Sequence, residues 1–249
     1  MFTLLLSYLT NMESSNPLLR RESAFVQEGT DYMTFDGALA KAAILLLICT
    51  IAGAFAWASP ALQMPLVIVG SLGGFVVAIV AMFKSTWSPV LAPTYAVLEG
   101  LALGAISYLL EQTYHGIVLN AVLLTFGVLA LMLLLFTSRT IRVTPGLRTG
   151  VIAATCAIAL VYLVDMVLRL FGVHMPFIHE TGWLGIGISL VITGIAAFNL
   201  LLDFDTIEQS IRAKAPKYME WYCGLALLIT LVWLYLELLR LLSKLQSRK

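Results

Sequence analysis

The chain reads as an all-α polytopic membrane protein, a seven-transmembrane helix bundle, and three observations predict it. Hydrophobic residues make up 60% of the 249 and charged residues 12%, where soluble domains hold about 45 to 50% and about 25%. Mean hydropathy is +0.95, and so apolar a chain leaves no polar stripe for helices that face water. Seven stretches reach the roughly 20 apolar residues that cross a hydrocarbon core. Between them lie breaks built of Pro, Gly and charge.

The first stretch, 38 to 58, ends on "SPALQMP" at 59 to 65, and the second, 63 to 83, ends on "KSTWSP" at 84 to 89. The third covers 90 to 111 and closes on "EQTYHG"; the fourth covers 116 to 137 and closes on the basic "SRTIRVTPGLR" of 138 to 148. The fifth, 149 to 171, runs into "FGVHMPFIHETGW". The sixth spans 183 to 203, "IRAKAPK" follows at 211 to 217, and the seventh spans 221 to 242. The expected organisation is a polar tail over 1 to 37, a transmembrane domain over 38 to 242 and a basic tail over 243 to 249. The apolar start "MFTLLLSYLTN" lacks a preceding basic residue and a small-residue cleavage site, so it is not read as a signal peptide, and Met12 offers a second start.

Lys and Arg set the orientation. A cytoplasmic N-terminus places Arg20, Arg21, Lys41, Lys84, Arg139, Arg142, Arg148, Arg212, Lys214 and Lys217 on its side, ten of the fifteen basic residues. Arg240, Lys244, Arg248 and Lys249 dissent, because seven crossings carry the C-terminus outside. A re-entrant last segment is the alternative.

Other classes are excluded on composition and motif. A net charge of +1 gives no footing for a nucleic-acid partner. Cys49, Cys156 and Cys223 are odd in number, lie in apolar helices and form no C-x-x-C, which makes them packing residues. His115, His174 and His179 fall in loops on one side, and "HETGW" lacks the second histidine of H-E-x-x-H, so no metal is expected there. No G-x-S-x-G or P-loop occurs, and neither catalysis nor a cofactor is expected.

What carries chemistry is the small set of ionisable groups at membrane depth, where an unpaired charge costs about 2.5 to 3.5 kcal/mol. Glu99 lies about ten residues into the third segment, roughly 15 Å deep, beside the G-x-x-x-G of Gly100 and Gly104, where a neighbouring helix can approach closely. Asp165 and Arg169 stand at i, i+4, and Glu237 and Arg240 at i, i+3, as local charge pairs. Asp203, Asp205 and Glu208 close the sixth segment; crowded acids there attract cations and raise one another's proton affinity.

The "FDT" of 204 to 206, the short basic loop after it, Trp221 and a last apolar helix, together with "LEGLALG" at 98 to 104, resemble the Bax inhibitor-1/YccA-like family. The resemblance implies six helices around a central seventh, and a pH-sensitive calcium leak. In animal members it implies suppression of cell death, and in a bacterial branch modulation of a membrane-bound ATP-dependent protease. The family's first sensor aspartate maps to Asp205. The position of its partner falls near Ile229, with no acid between Trp221 and Glu237, and the latch arginine meets Leu110. The expectation is therefore an inner-membrane protein in which Asp205, Asp203 and Glu99 form a proton-sensitive centre for cations, with calcium or protons as permeant ions and the lipid bilayer as its surroundings. A non-conducting protein that docks on a membrane protease is the alternative.

Overall fold

A computed structural model describes residues 32 to 172 and 182 to 247. His174, His179 and the "HET" of the fifth break lie outside the described residues, as do the tail up to residue 31 and the last two residues. The bundle begins at Met33.

Seven helices occur among the described residues, each long and apolar enough to cross a membrane: α1 (Phe35–Trp57), α2 (Gln63–Phe83), α3 (Ser88–Thr113), α4 (Ile117–Thr137), α5 (Pro145–Leu170), α6 (Trp183–Arg212) and α7 (Met219–Gln246). The differences from the sequence reading are at the ends, and capping explains two of them. The Thr34 hydroxyl accepts from the Gly37 amide and starts α1 three residues early, inside the stretch read as tail. Thr144 likewise accepts from Leu147, and Pro145 occupies the first turn, where it sacrifices no hydrogen bond, so "TPGLR" is helix rather than loop. α6 runs nine residues past 203 to Arg212, and α7 continues through the stretch read as a basic tail to Gln246.

In lipid no hydrophobic force draws helices together, so contact depends on close approach and on polar bonds. The side chains obey this. Large ones such as Leu47, Phe55, Leu72, Phe75, Met82 and Phe83 point outward, while alanines at 38, 56, 92, 96, 105, 121 and 196 are fully enclosed. α1 meets α3 backbone to backbone: a Cβ on Gly104 would fall on the main chain of Gly53, and one on Gly100 would fall on that of Cys49. α2 leans on α3 in the same manner, with Gly70 against Leu98 and Ala102.

α7 packs against α1, α3, α4 and α6. Its buried residues, from Leu225 and Leu228 through Leu234 to Leu238, Leu239 and Leu241, lie on every side of the helix, the pattern of an enclosed segment. Two apolar cores share it. One joins α7 to α1, α4 and α6 around Phe204, and the other joins it to α1, α2 and α3 around Leu45 and Tyr95. The last helix is therefore central, with α1, α3, α4 and α6 packed directly on it.

The glycine contact gives a direct expectation. Gly104→Val should destabilise the bundle by about 2 kcal/mol or more, because the added carbons strike backbone that cannot yield. Thermal unfolding in detergent measures it, with Gly127→Val, where a Cβ meets nothing within 4 Å, as the harmless control.

Candidate functional site

α7 carries a ladder of polar groups that face α1, α3, α5 and α6. At its N-terminal end Glu220, 1% exposed, accepts from the Thr34 amide at 3.0 Å and the Thr34 hydroxyl at 3.1 Å, with Lys217 at 3.2 Å. Nearly three turns on, Thr230 faces Asp203 of α6. Tyr235 shares a hydrogen bond of 2.7 Å with Ser107 of α3. Glu237, also 1% exposed, accepts from the Tyr162 hydroxyl of α5 at 2.7 Å, from the Trp233 indole at 3.2 Å and from Arg240 at 3.0 Å. The Arg240 guanidinium lies 4.9 Å above the Tyr162 ring and also donates to its hydroxyl. Buried Lys244 donates to the Gly185 carbonyl at 3.1 Å and the Ser189 hydroxyl at 2.8 Å, both on α6. Residues 233, 237, 240 and 244 recur every three or four positions, so one face of α7 holds the upper part of this ladder.

The two charge pairs expected within helices both form, Asp165 with Arg169 at 2.9 Å and Glu237 with Arg240. The acids of α6 separate instead of clustering. Asp205 turns to α5, where Arg148 stands 3.7 Å away, and accepts from Gln209 of its own helix at 2.6 Å; Arg148 also donates to Gln209 and Thr206, clamping one face of α6. Glu208, one turn on, accepts from Arg139 at 2.8 Å and Arg212 at 2.6 Å. Asp203 turns to α7. Its Oδ2 is shut off from solvent without a hydrogen-bond partner, beside a cavity of about 40 Å³ lined by Asp203, Thr206, Met219, Tyr222, Cys223 and Ala226.

Glu99 stands elsewhere. Its carboxylate occupies the space above Gly74 on α2, near Tyr95 and Cys49, and α3 does not pack against α6. The structure does not bring Glu99 to Asp203 and Asp205. The acid that meets α7 is Asp203 rather than Asp205, since a 200° turn separates the two on one helix; the residue that answers it is Thr230, while Ile229 faces outward. Leu110, where the resemblance asks for a base, packs into the apolar core, and the base found beside Asp205 is Arg148. Of the cysteines, Cys49 and Cys223 are buried and Cys156 is exposed on α5.

Sequence reasoning passed over Glu220, Tyr162, Thr230, Lys244 and Arg148 as partners. Arg148 was visible as loop charge, and its place in the first turn of α5 follows once Thr144 is recognised as a cap. No group of three His, Cys, Asp or Glu with metal-binding spacing exists among the described residues. What the α6–α7 interface offers a cation is one carboxylate oxygen with hydroxyl neighbours, a contact suited to brief occupancy rather than tight ligation.

The model of the family described as Bax inhibitor 1 like matches residues 16–247. No curated protein and no solved structure matches the chain.

Glu237 is the most heavily bonded of the buried acids. Glu237→Ala should cost about 2 to 4 kcal/mol, because it leaves the Arg240 charge without its carboxylate and the Tyr162 hydroxyl without its acceptor at membrane depth. Glu237→Gln should cost less, and chemical denaturation in mixed micelles ranks the two.

Proposed function

Because the chain belongs to the Bax inhibitor 1 like family, we propose that this multi-pass membrane protein is a slow, proton-sensitive leak for cations such as calcium, whose critical contact is Asp203 between α6 and α7. The observation that carries the reading is the Asp203 oxygen without a partner beside a small cavity. A charged carboxylate in so dry a place attracts water or a cation. A protonated one packs quietly against Thr230. Deprotonation therefore loosens the α6–α7 interface, and the leak rises with pH. Asp205 and Glu208 serve differently. Held by Arg148, Arg139 and Arg212, they anchor the end of α6 while its middle gives way. The membrane we assign is a bacterial inner membrane with the N-terminus cytoplasmic, as the basic residues of the α4–α5 and α6–α7 loops favour. A cytoplasm-only reporter at the C-terminus, silent if α7 crosses, tests that orientation.

In liposomes loaded with a calcium dye, flux should climb as pH is raised. Asp203→Asn should flatten that climb and lower flux by roughly tenfold, the factor given by about 1.4 kcal/mol of lost attraction. Asp205→Asn, which releases Arg148, should change the level of flux while keeping its pH dependence. Flux and pH profile unchanged in Asp203→Asn would remove the basis of the proposal.

A second reading has its own support. Most buried acids are paired inside the bundle, Glu237 with Arg240, Asp165 with Arg169 and Glu220 with Lys217, as assembly of a non-conducting protein that modulates a membrane-bound protease would require. Deleting residues 13 to 31, which spares Thr34, should then abolish co-purification of the protease and leave calcium flux as it was. Retained co-purification counts against this reading.

A further inference from the structure

A cavity of about 620 Å³ lies between α1, α3, α4 and α7, within the size range of sites that take small molecules. Its shape follows from its lining. On α1 it touches positions 46, 49, 50, 53, 54 and 57, one face of the helix over about 16 Å. The other three helices contribute in the same rhythm, 100 to 107, 118 to 126 and 228 to 235. The cavity is thus a slot parallel to the helix axes. Cys49, Gly100, Gly104 and Leu228 form a buried floor, while Thr50, Ala54 and Trp57 on α1 and Phe126 on α4 are exposed at the rim. α1 and α4 do not pack closely on one another, so the slot opens sideways between them onto the lipid-facing surface.

Water is a poor occupant. A buried water needs two to four polar partners, and most of the hydroxyl donors here are already committed. Thr50 donates to the Leu46 carbonyl at 2.8 Å, Thr125 to the Ala121 carbonyl at 2.7 Å, and Ser107 and Tyr235 bond each other. An empty slot is no better, because close-packed interiors retain few voids larger than a water molecule and the lining would forfeit its dispersion contacts. What remains is the surrounding solvent of a membrane protein, whose chains run in the direction of the slot.

We propose that the slot between α1 and α4 is a binding site for one acyl chain of a membrane phospholipid, which enters sideways past Ala54 and Val122 and lies on the glycine floor of α1 and α3. The site does not rest on the ion-conduction reading. Its α7 wall, Leu228 to Tyr235, lies between Glu220 and Glu237, so an occupying chain braces the central helix along the stretch that faces Asp203 on its other side.

The test uses the full chain in nanodiscs of phosphatidylcholine carrying a diazirine in mid-chain, irradiated and mapped by peptide mass spectrometry. Adducts should appear on the floor, at Cys49 or Leu228, which lipid outside the bundle cannot reach. Ala54→Phe and Val122→Phe, each filling the slot from its rim, should cut floor adducts by about fivefold or more, with adducts on the exposed Leu190 and Val191 of α6 unchanged. Thermal melting identifies any variant that fails to fold, and the other then decides. Adducts confined to outer faces, floor adducts indifferent to both fillings, a floor labelled by a water-soluble carbene probe instead, or a floor covered by a second copy in a cross-linked dimer would each overturn the assignment.

Discussion

A helix surrounded by other helices in lipid gains nothing from burying its leucines, since the alternative environment is equally oily; the polar ladder of α7 is what makes its position unique. Thr34 or Thr34's amide, Ser107, Tyr162, Gly185 and Ser189 belong to four different helices or their caps, and each finds its partner on α7 at Glu220, Tyr235, Glu237 or Lys244. Rotating α7 by one residue turns these groups through about 100° and breaks the bonds together. The leucines between them fill space on every side but choose no orientation.

Around that axis the bundle uses two modes of contact. Where α1, α2 and α3 meet, glycine and alanine let backbones touch, and the helices become nearly inseparable. Where α4, α5 and α6 meet α7 and one another, the contacts are side-chain bonds and larger apolar groups, among them Phe136 against Phe204 with ring centroids 5.7 Å apart. The proposed proton-sensitive contact at Asp203 falls in the second region. That is where motion is cheapest, because side-chain interfaces can loosen without driving main chains into each other.

Much of the fold was legible. Twenty-residue apolar stretches and the breaks between them place all seven helices, and the G-x-x-x-G of the third identified a close-packed face, which α1 occupies. The ends were less legible. Thr34 and Thr144 are caps whose signal is plain once the helix direction is known, yet "TPGLR" also reads as loop. The local charge pairs, Asp165 with Arg169 and Glu237 with Arg240, could be found from spacing, because helix geometry alone brings them together. The site as a whole could not. Whether Glu99 reaches Asp205 depends on the order of helices around α7, which apolar stretches of similar composition do not encode. Arg148 on Asp205 and Tyr162 on Glu237 are contacts across 57 and 75 residues of chain, and spacing carries no trace of them.

The central place of α7 also bears on how the molecule is made. Six helices leave the ribosome before the one they enclose, so during synthesis they form a shell whose axis is vacant and whose hydroxyls and carbonyls at Ser107, Tyr162, Gly185 and Ser189 have no permanent acceptor or donor. Residues 235, 237 and 244 of α7 supply them in turn. A chain that stops ahead of α7 therefore leaves its first six helices without the polar partners that fix their arrangement.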